Sequence, residues 1–328
     1  MALGIDFKKV HLKPRGKNSK VAYQWRCLVH RLTPLFWLKS RSKQLLDSFE
    51  SRPDRDYILS RVNYYCKLIA PATIHGTFLL GSMPKATNNY FRDFFEYSRY
   101  FDKGLRVDTA FGDNTELKQT PSIAKSRPIC NENENCVLCN LDKVRHFIFL
   151  NDQRSFESKL PKAIYRGVSY QPHRIDFLEK YFGSEWVDCG DTGANPHKAE
   201  WKTHQITLYD HLKYKFVISI EGNDVASNLK WVMSSNSIAV MPKPKYETWF
   251  MEGTLIPNYH YIEIKDDYSD LPERLQYYID HPEETKKIIE NAHEYVAQFQ
   301  DKDREDLIHL LVLQKYFSLT NPGQKLMK

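Results

Sequence analysis

A regular alternation of apolar runs and polar breaks extends over residues 215–265. Residues 215–220 form a β-branched and aromatic run, which is typical of a buried strand. Residues 221–224 are a polar break, residues 225–233 predict a short helix, and residues 237–241 form a second apolar strand. Two strands joined through a helix make a parallel βαβ unit. The break at 221–224 is therefore predicted to lie at the carboxyl edge of a parallel sheet.

This polar break has two interpretations. In open α/β sheets the carboxyl edge and the adjacent helix N-terminus bind phosphorylated ligands, because free N–H groups favour negative charge. Alternatively, Asn223 or Asp224 only caps the helix that follows. The turn by itself supports both interpretations equally.

The same alternation continues on both sides of this unit. In the second half, the predicted elements are strands at 162–167, 186–188 and 259–264, helices at 175–182 and 207–211, and a long helix from Ser269 with Pro272 in its first turn. In the first half and at the end of the chain, the predicted elements are helices at 40–69, 88–101 and 307–317, and strands at 76–80, 106–110 and 146–150. The pattern after residue 160 predicts a doubly wound α/β fold.

The length of the chain predicts two domains, because 328 residues exceed the usual size of a single core. A new regular series begins after a polar stretch near residue 158. We therefore expect four segments: a basic amphipathic N-terminal segment, a first domain, a second domain, and a C-terminal helix that returns to the first domain, at 1–50, 51–157, 158–300 and 301–328.

Composition indicates a globular protein outside the membrane. Hydrophobic residues make up 41% and charged residues 27% of the chain, and the mean hydropathy is −0.58. No apolar run approaches the ~18 residues of a spanning helix. The first residues lack the apolar core of a secretory signal, so we expect a cytoplasmic protein.

The six cysteines predict neither disulfides nor zinc in a chain of this length and expected location. Cys130, Cys136 and Cys139 come closest to a metal pattern, with His146 as the fourth ligand of an unusual spacing. We expect reduced, partly buried thiols and no metal.

Positive charge is concentrated at the start of the chain. Residues 1–50 hold eleven basic and three acidic side chains, a net charge of +8, so the remainder carries −2 of the total +6. Aromatic and aliphatic residues alternate with these charges, a mixture that suits an anionic membrane surface. A solvated basic tail followed by a helix packed on the core is the equal alternative. Nucleic acid is not expected, because no RNP-like, KH-like or finger signature is present.

Several motifs, in order, resemble glycosyltransferase family 90. They are Tyr165-Arg166-Gly167, His211-x-x-Tyr214-Lys215-Phe216, Glu221-Gly222 with Ser227 and Lys230, and Tyr259-His260-Tyr261-Ile262. The family includes bacterial lipopolysaccharide glycosyltransferases, fungal capsule xylosyltransferases and animal protein O-glucosyltransferases. The bacterial branch is the most similar, through Asn133-Glu134-Asn135, Leu141, Arg145-His146 and the segment 221–224.

This resemblance implies a fold and an activity. It implies a GT-B arrangement, in which two Rossmann-like domains face a cleft, with acceptor-side residues at 51–157 and a UDP-sugar-binding domain at 158–300. It also implies sugar transfer from a UDP-sugar with inversion and without a required metal or other cofactor. The implied acceptor is a lipopolysaccharide core or a related surface glycan, at the inner face of a bacterial inner membrane. The alternative is a non-catalytic sugar-nucleotide or nucleic-acid binding protein with the same fold.

The resemblance also implies a catalytic base in the first domain. The best-matching position is Asp113, within the segment 111–114, and Asp108 is the second candidate. Inverting transfer needs a group that takes the proton of the attacking hydroxyl, and a carboxylate can do so. As a bare pattern, Gly112-Asp113-Asn114 indicates only a turn.

Donor binding is implied for a set of residues in the second half. These are Arg166, Gly167, Arg174, Gly222, Asn223, Asp224, Ser227, Asn228, Lys230 and Glu247. Arg166 ends a predicted strand, and a guanidinium can bind two phosphate oxygens at once.

Two of these positions carry further expectations. Asn228 stands where the animal branch has an arginine, so Arg174 or Lys230 would supply the missing charge. Glu247 lies beside Trp249 and Phe250, where it could accept hydrogen bonds from a sugar while the rings pack against it, although these rings could equally belong to the core.

A metal-dependent GT-A transferase is the other glycosyltransferase class. It would need a metal-binding Asp-x-Asp at the end of a strand, and residues 54–56 and 301–303 match this spelling only. Both stretches lie in or beside predicted helices. We therefore expect no metal site.

Overall fold

The computed structural model describes residues 20–75, 78–83 and 88–327. Residues 1–19 of the predicted N-terminal segment, and residues 76–77 of the strand predicted at 76–80, lie outside the described residues. Within the described residues, no helix has the length and apolar character needed to cross a membrane.

Helices form the beginning and the end of the described chain, and helices and strands alternate between residues 160 and 241. The helices are α1 Lys20–Leu32, α2 Leu35–Ser48, α3 Arg55–Tyr65, α4 Asn89–Ser98, α5 Lys143–His146, α6 Pro172–Tyr181, α7 Leu208–His211, α8 Leu229–Met233, α9 Leu271–Asp280, α10 Pro282–Ala297 and α11 Lys302–Thr320. The strands are β1 Phe78–Leu79, β2 Arg106–Val107, β3 Thr109–Ala110, β4 Ser122–Ala124, β5 Ser126–Pro128, β6 Cys136–Leu138, β7 Leu160–Gly167, β8 Val187–Asp191, β9 Tyr214–Ile218, β10 Ile238–Met241, β11 Tyr246–Thr248 and β12 Ile262–Glu263.

The chain divides into two compact units. The five-stranded unit contains residues 20–22, 144–244 and 254–298, and the terminal unit contains residues 23–143, 245–253 and 299–327. Residue 158, the predicted domain boundary, lies inside the five-stranded unit.

The five-stranded unit is built on one parallel sheet. Its strand order is β12-β10-β9-β7-β8, and every neighbouring pair is parallel. Counted from β7, this is the doubly wound order 2-1-3-4-5, in which the order reverses between the first and third strands. The topological switch point therefore lies between β7 and β9. The doubly wound prediction from the sequence is confirmed.

Side chains on one face of this sheet form a continuous core with α6 and α9. Phe216 and Ile218 of β9 are buried, and so are Phe177 of α6 and Leu275 of α9. The strands are buried on both faces, which explains why they are near-continuous apolar runs in the sequence. The core fixes the positions of the strand ends, and the loops that follow them carry the polar residues.

The predicted parallel βαβ unit is confirmed, but its helix begins later than predicted. β9 and β10 pair in parallel, with Ile238 opposite Phe216. The helix between them, α8, is only five residues long and starts at Leu229. The residues before it are held as a turn, in which the Gly222 N–H donates to the carbonyl of Asp224 at 2.9 Å. The prediction that the helix starts at residue 225 was wrong.

The strand predicted at 146–150 is also wrong, because this segment pairs with no strand. Residues 147–150 have no regular structure, and α5 ends at His146. The backbone N–H of Leu150 donates to the Ser234 hydroxyl at 2.8 Å instead of to a neighbouring strand. The hydroxyl of Ser234, distant in sequence, thus accepts the hydrogen bond that a neighbouring strand would accept in a sheet.

Two further elements are shorter than predicted. Of the strand predicted at 259–264, only β12 forms, because the N–H groups of Tyr259 and His260 donate to the carbonyl of Ile256 in a turn. The long helix predicted from Ser269 is divided into α9 and α10. Pro282 begins the second of these, since proline lacks the N–H that would continue the first.

The terminal unit has smaller sheets and a long helix. β3, β4 and β6 form a three-stranded parallel sheet, and β1-β2 and β5-β11 are antiparallel pairs. Helix α11 packs in the same unit as α3, where the buried Arg61 pairs with Glu305. The Lys315 ammonium donates to the carbonyl of Cys66 at 2.7 Å. α11 therefore closes the core of this unit.

Candidate functional site

A cavity of about 340 Å³ opens at the switch point of the five-stranded sheet. Its walls come from the carboxyl ends of β7 and β9, from α6 and from the segment before α8, and they include Arg166, Gly167, Arg174, Ile218, Ser227 and Asn228. Ligands of doubly wound proteins bind in this crevice, outside the carboxyl ends of the strands. The topology and the cavity thus indicate the same candidate site.

Arg166 ends β7 in a fixed orientation. Its guanidinium donates to the Asp188 carboxylate at 2.5 Å and to the carbonyl oxygens of Tyr165 and Asp188 at 2.9 and 2.8 Å. Burial raises the pKa of the Asp188 carboxyl, but hydrogen bonds from Tyr214 and Arg166 outweigh burial, so this pKa lies below its ordinary value. Asp188 is therefore ionised at neutral pH and holds Arg166 in place.

Gly167, the last residue of β7, leaves room for the ring of Tyr165. A Cβ atom at this position would lie 2.7 Å from the Tyr165 hydroxyl, closer than real contacts allow. That hydroxyl lies 3.1 Å from the Ser169 hydroxyl, in a buried hydrogen bond. A larger residue at position 167 would displace the Tyr165 ring, so this position needs glycine.

Arg174 links the two loops that border the cavity. From α6 its guanidinium donates to the carbonyls of Val168, Ile220 and Glu221, at 2.8, 3.0 and 2.8 Å. All these acceptors are backbone oxygens, and no described carboxylate forms an ion pair with Arg174. Its positive charge in the cavity wall is therefore not neutralised by an acidic side chain within the described residues.

The predicted anion-binding turn is held by α6 and by the two residues just before it, and not by a helix N-terminus. The Asn223 side-chain oxygen accepts from Tyr170 at 3.0 Å and from Gln171 at 3.2 Å. Asp224 is buried, at 2% exposure, and lies well before the start of α8. Gly222, Asn223 and Asp224 are absent from the wall of the cavity. The turn thus shapes the loop beside the cavity.

Two other predicted residues lie in the cavity wall near α8. Ser227 is exposed, and Asn228 donates from its side chain to the carbonyl of Ile218 at 3.0 Å. Both supply polar groups beside the carboxyl end of β9. The structure thus places five of the predicted donor-binding residues in the wall of one cavity: Arg166, Gly167, Arg174, Ser227 and Asn228.

Lys230 and Glu247 lie elsewhere. Lys230 is fully buried on α8 and is absent from the cavity wall. Glu247 belongs to the terminal unit, where the buried Arg127 donates to it at 2.7 Å and the Tyr64 hydroxyl also donates to it. Trp249 is buried there as well, and its ring stacks on Tyr65 with a centroid distance of 3.8 Å. These contacts give Glu247 and Trp249 a structural role in their own unit.

The two candidate bases of the terminal unit differ in accessibility. Asp113 is about one-quarter exposed, and its carboxylate accepts from Lys125 at 2.6 Å and from Tyr90 at 3.4 Å. Asp108 accepts from the hydroxyls of Thr120 and Ser122, each at 3.2 Å, and from a backbone N–H. Because both Asp108 oxygens serve local structure, Asp113 is the better candidate for proton transfer.

Several cavity residues carried no assigned role in the sequence. Thr192 follows directly after β8, so the rule that identified Arg166 at the end of β7 would also have indicated it. Trp231 lies three residues after Asn228 on the same helical face, and its ring meets His211 edge-on at 5.4 Å. Gln205 and Ile206 come from a segment without regular structure, which gives no periodic signal.

Metal-ligating side chains are dispersed. Over residues 20–75, 78–83 and 88–327, no group of three or more His, Cys, Asp or Glu side chains could hold a metal ion. Cys136 and Cys139 are buried as free thiols, and burial raises the pKa of both. A thiol that stays protonated is a poor metal ligand.

A doubly wound parallel sheet with a cationic cavity at its switch point defines a class of α/β proteins that bind their ligand at the carboxyl edge of the sheet. Comparison with known proteins makes this more specific. Residues 138–324 match the family model described as Glycosyl transferase family 90. This range contains the whole five-stranded sheet, and it does not contain Asp113.

Individual relatives agree with the family match. The chain is 38% identical over 300 residues to O-glucosyltransferase LpsA of Dichelobacter nodosus, which covers 89% of this chain and 93% of that protein. It is 27% identical over 172 residues to Protein O-glucosyltransferase 3 of Homo sapiens, covering 51% of this chain and 34% of that protein. Protein O-glucosyltransferase 2 of Danio rerio is 25% identical over 170 residues, with shares of 50% and 34%.

The chain belongs to glycosyltransferase family 90 and is a glycosyltransferase. The resemblance seen in its sequence motifs is confirmed. Its relatives imply a sugar donor and a glycan acceptor.

Proposed function

We propose that the chain transfers a sugar from a UDP-sugar to a lipopolysaccharide core or a related surface glycan, with inversion and without a metal. The observation that carries this proposal is the cavity at the switch point, with Arg174 in its wall and no carboxylate paired to it among the described residues. A diphosphate would supply the missing negative charge. The relatives are O-glucosyltransferases by name, which favours glucose as the sugar.

The donor would be held by complementary charge and by backbone geometry. Arg166 and Arg174 offer guanidinium groups to the diphosphate, and such charge-assisted hydrogen bonds are roughly twice as strong as neutral ones. Ser227 and Asn228 offer a hydroxyl and an amide beside them. When the bond to the diphosphate breaks, these groups would stabilise the charge that develops on the leaving UDP.

The chemical step needs one proton acceptor. The acceptor hydroxyl oxygen attacks the anomeric carbon, the bond from that carbon to the UDP oxygen breaks, and UDP leaves with the electron pair. We assign the hydroxyl proton to the Asp113 carboxylate as general base. Lys125 and Tyr90, which bond the same carboxylate, would orient it.

The family relationship supports the proposed acceptor and the proposed GT-B arrangement. A lipopolysaccharide core is carried on a lipid, so a transferase that extends it works beside a membrane. The proposal therefore includes peripheral attachment at the inner face of a bacterial inner membrane and the GT-B architecture of the family.

The test is UDP release from a panel of UDP-sugars, UDP-glucose first, by the purified chain with EDTA present. We expect release with EDTA, because two arginines replace the metal in neutralising the diphosphate. Asp113→Asn is expected to lower transfer to an acceptor by about 10²-fold or more, which is the typical contribution of a general base, while UDP binding is retained.

The matched control is Glu116→Gln, which removes a carboxylate from the same unit at a position that is 83% exposed. This variant is expected to transfer sugar at the wild-type rate. Full transfer by Asp113→Asn would remove Asp113 from the mechanism. Loss of all release in EDTA, restored by a divalent cation, would contradict the metal-independent mechanism. UDP binding without any transfer would instead support a non-catalytic sugar-nucleotide binding protein.

A further inference from the structure

Helix α1 carries its apolar side chains on the side that faces solvent. Val21, Trp25, Leu28, Val29 and Leu32 are 44–71% exposed. Their spacing of four, three, one and three residues places them on one face of the helix, here called the outer face of α1. This face is a continuous apolar stripe of three helical turns.

The opposite side of α1 is polar and holds the helix to the terminal unit. The Tyr23 hydroxyl donates to the buried carboxylate of Asp93 on α4 at 2.8 Å, and Tyr23 itself is 8% exposed. Arg26 pairs with Glu96 of α4 at 3.6 Å. The Arg99 guanidinium donates to the carbonyl of Thr33, just after α1, at 3.0 Å. These directional contacts fix which side of the helix faces outward.

This arrangement is the reverse of an ordinary surface helix, which turns its apolar stripe toward the core and its charges toward water. Large contiguous apolar patches on a protein surface mark interaction sites, whereas single exposed apolar residues do not. The outer face of α1 contains five neighbouring large side chains, one of them tryptophan. It therefore needs an occupant other than water.

Charge identifies the kind of occupant. By sequence, residues 1–20 hold six basic side chains and one acidic one, and Lys20 on the first turn of α1 is exposed. A basic segment joined to an apolar helix face containing tryptophan fits the boundary between lipid headgroups and acyl chains, where anionic lipids attract lysine and arginine. A second copy of this chain would carry the same positive charge and would be repelled.

We propose that the outer face of α1 docks the protein on an anionic lipid bilayer, with the helix lying in the plane of the interface. This surface is independent of the proposed donor cavity and of Asp113, and it does not require the chain to cross the membrane. It would bring a transferase to an acceptor that is anchored in lipid.

The test is flotation of the full-length protein with vesicles, without any sugar donor. One vesicle is phosphatidylcholine alone, and the other contains roughly 30% phosphatidylglycerol, which gives the negative surface potential that the proposal needs. We expect binding to the anionic vesicles only, and weaker binding as salt rises from about 0.1 M to about 1 M.

The diagnostic variant is Trp25→Ala combined with Leu32→Ala. Both side chains are largely exposed, so melting temperature and UDP release are expected to stay at wild-type values, while vesicle affinity falls about tenfold or more through the lost apolar area. The matched control is Ile69→Ala with Ile256→Ala, which removes two exposed apolar side chains elsewhere and should bind vesicles like the wild type.

Four results would overturn the proposal. They are no binding of the wild type to anionic vesicles, wild-type binding by the α1 variant, equal weakening by the control variant, and a dimer that becomes a monomer on substitution of α1 while vesicle binding is absent. The last would identify a second copy as the occupant. Because UDP release is measured separately, failure of docking removes the membrane attachment included in the proposed function but leaves the proposed sugar transfer standing, and failure of transfer leaves docking standing.

Discussion

Arg166 and Arg174 line one cavity but differ in their acceptors. Arg166 is paired with the ionised Asp188, whereas Arg174 donates only to backbone carbonyls within the described residues. A guanidinium without a carboxylate retains most of its attraction for an added anion. Arg174 therefore makes the larger contribution to the positive potential of the cavity, and we propose that it, rather than the buried Lys230, supplies the charge missing at Asn228.

His309 provides a pH-dependent test at the residue scale. It is fully buried in the terminal unit, stacked on Tyr97 at 3.9 Å and near Trp249 at 4.8 Å. Burial, with a smaller effect of Lys143, holds the pKa of its imidazole well below the ordinary value. Below about pH 6.5 this histidine binds a proton in the unfolded chain but not in the folded protein. The free energy of unfolding therefore falls by about 1.4 kcal/mol for each unit by which the pH is lowered.

The matched variant is His309→Phe, which keeps an aromatic ring and removes the titration. Urea unfolding between about pH 7 and pH 5 should give a flatter dependence for the variant than for the wild type. Asp93 acts in the opposite direction, because burial raises its pKa to about 6 and protonation then favours the folded state, but it is present in both proteins and cancels in the difference. Parallel pH dependences for the two proteins would contradict a neutral buried His309.

At the scale of elements, α6 holds the loops after β7 and β9 together through the hydrogen bonds of Arg174. Arg174→Met removes three hydrogen bonds to carbonyls, of which the Glu221 carbonyl keeps His173 as a partner, and the loss is expected to cost about 1–3 kcal/mol of stability. Hydrogen exchange in residues 220–222 should accelerate, and the affinity for UDP should fall.

The control for this prediction lies on the same helix. Lys180→Met removes one exposed bond, from its ammonium to the carbonyl of Asp267, and should change stability by less than about 0.5 kcal/mol. Exchange measured by mass spectrometry distinguishes the two variants. Unchanged protection of residues 220–222 in Arg174→Met would show that α6 does not hold the loop.

Strands were easier to predict than the elements between them. β7, β9 and β10 are apolar runs whose burial is encoded locally, and their parallel pairing follows from the βαβ connection. The late start of α8 could not be predicted, because the turn before it is held by α6, about fifty residues earlier. The failed strand at 146–150 has the same cause, since its N–H donates to a distant serine.

The candidate site was predictable where it follows strand ends. Arg166 and Gly167 end β7, and Ser227 and Asn228 come just before α8, so the edge rule and the family motifs both indicate them. Gln205 and Ile206 reach the cavity from irregular backbone, where no periodicity exists. The inward turn of Lys230 and the pairing of Glu247 with Arg127 depend on packing that no local pattern encodes.

At the scale of the whole molecule, the family match covers some parts of the proposal and not others. The family match at 138–324 spans every strand of the five-stranded sheet, and hence the proposed donor cavity. Asp113 and α1 lie before the matched range. The alignment with the bacterial relative is longer, with 300 residues that cover 89% of the chain. Donor binding is thus the part of the proposal with the broadest support, while the base and the docking surface depend on residues specific to the first half.

The distribution of charge separates these roles as well. Residues 1–50 carry +8 and the remainder carries −2, so attraction to an anionic surface is concentrated where α1 lies. The donor cavity instead uses individual arginines within a unit whose acidic side chains outnumber its basic ones. Membrane docking and donor binding are therefore expected to respond differently to salt, the first strongly and the second weakly.

The most direct test of the central claim is calorimetric titration of UDP into two serine variants. Ser227→Asp places a carboxylate at an exposed position in the cavity wall, and Ser184→Asp places one in a different cavity of the same unit. If the diphosphate binds at the switch point, Ser227→Asp raises the Kd for UDP by about tenfold or more, since like charges at close range repel, and Ser184→Asp leaves it unchanged. Equal Kd values for Ser227→Asp and the wild type would contradict the account.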